Sequence, residues 1–126
     1  MPRPQLLMRL KKEQEDILTN YGDQLRLDVK DDLIWHITFD GAQGSLYQGE
    51  TFTLQFRYLE NYPFDSPEVK FIGTPPIHEH IYSCGYICLS TLSQDWSPAL
   101  KTSSVCLSVI SMLSSAKEKK KPHNDE

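Results

Sequence analysis

Little in this sequence runs to excess, and each thing it is short of removes a class of protein. Cysteine is sparse: Cys84, Cys88 and Cys106 are the only three, an odd number, so a disulfide framework is not expected and at least one free thiol needs a role. No stretch approaches the roughly 18 consecutive apolar residues of a membrane-spanning helix. The opening MPRPQLLMRLKKEQEDIL turns charged too early for a secretory signal. We therefore expect a cytoplasmic or nuclear protein with no membrane partner. Positive charge is not in surplus either: 13 Lys and Arg stand against 17 Asp and Glu, a formal net charge of -4, so no overall attraction for nucleic acid is expected. Internal repeats are absent. What is there, 126 residues with 39% hydrophobic and 10% aromatic side chains, suits one globular domain with one core.

Hydrophobic periodicity divides the chain into elements. Leu6, Leu7, Leu10, Ile17 and Leu18 recur at helical spacing and predict an amphipathic helix from about Pro4 to Thr19, stopped by Asn20, Tyr21 and Gly22. Its other face carries Arg9, Lys11, Lys12, Glu13, Glu15 and Asp16, and a mixed charged face of this kind is ordinarily a solvated surface. From Gln24 the period changes to two. Leu25, Leu27 and Val29, then Leu33, Trp35, Ile37 and Phe39, read as two strands joined at Asp31 and Asp32. Phe52, Leu54, Phe56 and Tyr58 make a third, and Glu68 to Ile72 a short fourth. Sequential strands with short connections favour an antiparallel meander.

Nothing is periodic between Gly73 and Leu100, although His78, His80, Cys84, Cys88 and Trp96 all fall there. A structureless loop of this length in a small domain is usually functional, so chemistry is expected in it. Val105, Cys106, Val109, Ile110, Met112 and Leu113 then restore helical spacing, with Thr102 or Ser103 as the expected N-cap. The fold class is therefore α+β: an N-terminal helix, a four-stranded antiparallel meander, a long loop carrying the site and a C-terminal helix. We expect a core domain over residues 1–118 and a charged tail over 119–126, disordered beyond about Lys119.

Two chemistries compete for the loop. His78, His80, Cys84 and Cys88 form an H-x-H-x3-C-x3-C string of four possible zinc ligands, but both pairs depart from the usual spacings, so no metal is expected. Alternatively one cysteine is a nucleophile, since a thiolate attacks acyl carbons well and also leaves well, as a thioester carrier must. Cys88, in the aperiodic loop after Gly85, is the better candidate; Cys106 falls on the apolar face of the last helix and reads as core. Cys84 fits either a reactive or a packed loop residue.

The order of these features resembles the ubiquitin-conjugating enzymes from about Leu7 to Ser115. It runs from an opening helix through a meander to Tyr62-Pro-Phe-Asp-Ser-Pro67, a tripeptide ending in His80, Gly85-Tyr-Ile-Cys-Leu89, Trp96-Ser-Pro-Ala-Leu100 and a closing helix. Ile87-Cys-Leu-Ser90, His80 and Ser111-Met-Leu-Ser-Ser115 before a basic stretch are most similar to the W branch, which ubiquitinates protein N-termini. The resemblance implies that Cys88 receives ubiquitin from the activating enzyme as a thioester, and that the acceptor is an α-amino group in preference to lysine. His80 stands where an Asn usually steadies the loop and the oxyanion, and His78 gives structural support. Phe64, Trp96, Ser97, Pro98 and Ala99 match the loops that meet RING or U-box ligases, and Arg9 and Lys12 match positions that dock the activating enzyme. The implied partners are ubiquitin, the activating enzyme, ligases and protein substrates. No bound cofactor is implied, ATP being used upstream by the activating enzyme.

Two departures from the family pattern stand out. Glu79 replaces the usual proline, and the sequence ends soon after Ser115 where most members continue into an acidic loop and two further helices, by nature or by truncation. They leave room for a second function class, a binding module without transfer activity, against which the presence of Cys88 in its motif argues.

Overall fold

A computed structural model describes residues 2–125; Met1 of the expected core domain and Glu126 of the expected tail lie outside the described residues. Proline at the first helical position, where its missing N–H costs nothing, starts helix α1 (Pro4–Asn20). Its buried stripe is Leu6, Leu10, Glu13 and Ile17, spaced four, three and four residues apart along one face. Two of the leucines expected on that face are corrected to its flanks: Leu7 is 37% and Leu18 63% exposed. Glu13, expected on the solvated face, sits near the middle of the stripe and is buried.

Four strands follow: β1 (Arg26–Asp31), β2 (Ile34–Asp40), β3 (Thr51–Arg57) and β4 (Glu68–Ile72). They form one antiparallel sheet in the order β1-β2-β3-β4, the expected meander. Alternation gives the sheet two faces. Trp35, Ile37, Phe39, Phe52, Leu54, Phe56 and Phe71 point inward to the core with α1 and α2 (Thr102–Ser114). His36, Thr38, Thr53 and Gln55 point outward and pair across the strands, Thr38 to Thr53 at 2.8 Å and His36 Nε2 to Gln55 Oε1 at 3.1 Å. Val29, expected to alternate inward, stands opposite the buried Trp35 yet is 45% exposed, since β1 is the edge strand of the sheet.

The buried Glu13 carboxylate joins three parts of the chain. It accepts hydrogen bonds from Tyr62 Oη at 2.9 and 2.8 Å, from the Thr102 N–H at 2.7 Å, from Thr102 Oγ1 at 2.8 Å and from Arg9 Nε at 2.7 Å. Since the Thr102 hydroxyl donates to Glu13, the Tyr58 hydroxyl 2.6 Å away donates to Thr102. The expected Thr102 or Ser103 cap is thereby corrected. Thr102 is already helical, the cap position is Lys101, and a carboxylate 89 residues away satisfies a first-turn N–H of α2.

Beyond α2 the chain runs without helix or strand back along the molecule. Lys119 Nζ lies 2.6 Å from Glu50 and over the Tyr47 ring, Pro122 is buried, and the Ser83 hydroxyl donates to Asp125 at 2.6 Å. No helix among the described residues is long and apolar enough to cross a membrane.

Candidate active site

The loop after β4 is aperiodic but not loose, because it is stitched to the fold through backbone groups. Gly85 lies flat against β4: its carbonyl accepts the Phe71 N–H at 2.9 Å, its φ is +95°, and a Cβ there would stand 2.2 Å from the Phe71 oxygen. Glycine is required at that point. Tyr86 then bridges to Lys70 of β4, and Ile81 bridges to both His78 and Ile87. A single 3-10 turn, Ser90–Leu92, is the one regular element within the loop.

Cys88 sits at the end of this stitching. Its N–H donates to the His80 carbonyl at 2.8 Å, and the His80 N–H donates to His78 Nδ1 at 3.0 Å. The accepting Nδ1 carries no proton, so the His78 imidazole is neutral with its proton on Nε2. Burial, with His80 beside it, holds its pKa below the ordinary value, while Glu79 and the Met112 backbone of α2 work the other way. A chain of contacts thus runs from α2 through His78 and His80 to the Cys88 backbone. The His80 ring itself is half exposed, with Nε2 3.7 Å from Glu79, beyond hydrogen-bond distance.

The three thiols differ in setting. Cys84 and Cys88 are exposed, whereas Cys106 is fully buried in α2 and burial pushes its pKa far up, which makes it inert. Cys88 lies on a groove of about 690 Å³ between the loop and the outer face of β3 and β4; His78, Glu79 and His80 line a second recess of about 400 Å³ against Met112 and Ala116. No three His, Cys, Asp or Glu side chains among the described residues are grouped to hold a metal ion.

Away from the thiol, two loops meet on one surface. Trp96 Nε1 donates to the Pro63 carbonyl at 2.9 Å, and the Arg9 guanidinium donates to the Pro98 and Leu100 carbonyls at 2.8 and 2.9 Å. Phe64 is 71% exposed, and Pro98 and Ala99 are exposed beside it in the paired loops. Trp96 and Ser97 are half-buried, since the indole ties the loops together and packs on Tyr62. Arg9 is held by Glu13 and the loop carbonyls, while Lys12 is exposed. Glu13, the residue that organises this corner, had one signal in the sequence: its place in the 6, 10, 13, 17 stripe.

The ubiquitin-conjugating enzyme family model matches residues 9–126, and the chain belongs to that family. It is 57% identical over 118 residues to a Dictyostelium discoideum protein titled "Probable ubiquitin-conjugating enzyme E2 W", covering 93% of this chain and 79% of that one. Identity to ubiquitin-conjugating enzyme E2 W of Caenorhabditis elegans is 53% over 120 residues, covering 94% and 77%. Among solved structures, ubiquitin-conjugating enzyme UbcA1 from Agrocybe aegerita superposes with a TM-score of 0.89 at 40% identity over 94% of this chain and 89% of that one. A Plasmodium falciparum ubiquitin-conjugating enzyme gives 0.83 at 39% identity, over 87% and 99%. The protein is a transferase of ubiquitin conjugation, a family that works with ubiquitin, activating enzymes and ligases.

Proposed function

We propose that Cys88 accepts the C-terminal carboxyl of ubiquitin and passes it to the α-amino group of a protein substrate. The Cys88 thiolate attacks the thioester carbonyl on the activating enzyme, whose own thiol leaves; ATP is consumed in that earlier activation, and no cofactor or metal is needed here. The acceptor amine then attacks the Cys88 thioester, an amide forms, and the Cys88 thiolate leaves. The observation that carries the reading is an exposed thiol whose backbone is anchored to His80 on an open groove. The half-exposed His80 imidazole N–H supplies a hydrogen bond to the oxyanion of the transfer step, and His78 holds the loop from behind.

Preference for an α-amine follows from the similarity to the W branch and from proton arithmetic. With pKa values of about 7.7 to 8.0 for an α-amine and about 10.4 for lysine, roughly a tenth of the first but well under a thousandth of the second is neutral at pH 7. A site with His80 in place of the usual Asn then serves the amine that needs less activation. Phe64, Pro98 and Ala99, backed by Trp96 and Ser97, would meet RING or U-box ligases, and the exposed Lys12 beside Arg9 the activating enzyme. The setting for this would be the cytoplasm or nucleus.

Incubation with activating enzyme, ATP and ubiquitin should give an adduct cleaved by thiol reductant. Cys88→Ser should convert it into a reductant-stable oxyester or abolish it, while Cys84→Ser retains the thioester. Charging of Cys88→Ala would overturn the assignment. Discharge should then be faster onto a lysine-free peptide with a free N-terminus than onto free lysine, and N-acetylation of the peptide should stop it; the reverse order refutes the α-amine preference.

A further inference from the structure

The groove beside Cys88 has a charge pattern that the transfer chemistry alone does not use. Its sheet wall is the outer face of β3 and β4, where Arg57 and Glu68 pair at 3.5 Å and offset one another. Lys70, next outward on β4, lines the same groove, is exposed, and has no ion pair among the described residues. The groove therefore carries one uncompensated positive charge. Its place relative to the thiol is set by backbone pairing: Lys70 is bridged to Tyr86, two residues before Cys88. Two extended residues span about 7 Å. The exposed Tyr86 ring adds apolar surface along this path.

We propose that this groove is the acceptor subsite: it holds the first residues of the substrate polypeptide in extended form, and Lys70 favours a carboxylate at the second or third residue. This rests on the transfer reading given above. A chain whose terminal amine reaches Cys88 Sγ and runs along the groove passes Lys70 two to three residues later, which sets the position read. An exposed charge pair of this kind discriminates modestly, by about twofold to fivefold, and loses strength with salt. Lys70 is a specificity residue and takes no part in bond making.

The test uses the full chain charged with ubiquitin and two lysine-free peptides with free N-termini, one with Asp at positions 2 and 3 and one with Arg there. Single-turnover discharge of the unsubstituted protein should favour the Asp peptide about twofold to fivefold at low ionic strength, with the preference shrinking at 0.5 M salt. Lys70→Glu should invert the ratio, and Lys70→Ala should bring it near one. The same ratio in all three proteins overturns the subsite. So does a slowed charging step in Lys70→Glu, because the groove would then hold the ubiquitin tail. If the unsubstituted protein forms no thioester, the transfer reading fails and takes the subsite with it; normal charging with discharge indifferent to residue 70 removes the subsite alone.

Discussion

Two polar centres lie at opposite ends of the physical scale, one around Glu13 and one around Cys88. The Glu13 carboxylate is buried and accepts from a tyrosine, a threonine hydroxyl, a backbone N–H and a guanidinium. Cys88 is exposed, and the contact that positions it is its backbone N–H on the His80 carbonyl. A buried charge is tolerable only when it is saturated with partners, and saturation leaves it nothing to react with. A nucleophile needs the reverse, a held backbone and an open side chain. The molecule separates the two tasks, joining its helices and the corner that carries Tyr62 and the Pro98 loop through Glu13 and leaving the thiol free.

That contrast breaks most sharply at Glu13. Glu13→Ala strands the Tyr62 hydroxyl, the Thr102 N–H and Arg9 Nε, and should cost about 3 to 5 kcal/mol in urea unfolding. Glu13→Gln, which keeps the acceptor oxygen, should cost less. A loss under 1 kcal/mol for the alanine variant would mean that the carboxylate is not what holds the two helices together.

On the thiol side the largest effect is expected at Gly85. An alanine there meets the Phe71 carbonyl and a left-handed backbone, so Gly85→Ala should cost about 1 to 3 kcal/mol and slow charging of Cys88. Unaltered stability and charging together would show that the loop is not fixed by this approach to β4.

The link between the regions, His78, sets a pH dependence. Its folded pKa lies below the ordinary 6.5, and the unfolded chain titrates near that value. Its contribution to stability is therefore complete above about pH 6.5. As pH falls further the unfolded state takes up a proton that the fold refuses, and stability declines toward the lower folded value. Protonation of Nδ1 also breaks the bond from the His80 N–H. Thermal scans between pH 7.5 and 5.5 should show a decline that flattens in His78→Asn; equal slopes in both proteins would remove His78 as its source.

The smallest expected change in stability is at Phe64. At 71% exposure, Phe64→Ala should alter it by no more than about 0.5 kcal/mol, leave charging intact, and slow discharge only when a ligase is present. Normal discharge with every ligase tried would detach the exposed ring from ligase binding.

The alternation of β2 and β3, the short β4 and the apolar stripes of both helices were legible in the sequence because burial on one face writes its period directly into the chain. The exposure of Cys88 was legible for another reason: it follows a glycine in an aperiodic stretch, and the family's motifs surround it. Tertiary structure decided that Glu13 is buried while Leu18 is not, that α2 is capped by α1, and that Lys70 lies on the same groove as Cys88. Each of these depends on groups brought together across the fold. A carboxylate reads as solvated until four donors arrive from elsewhere in the chain, and periodicity carries no record of which donors those are.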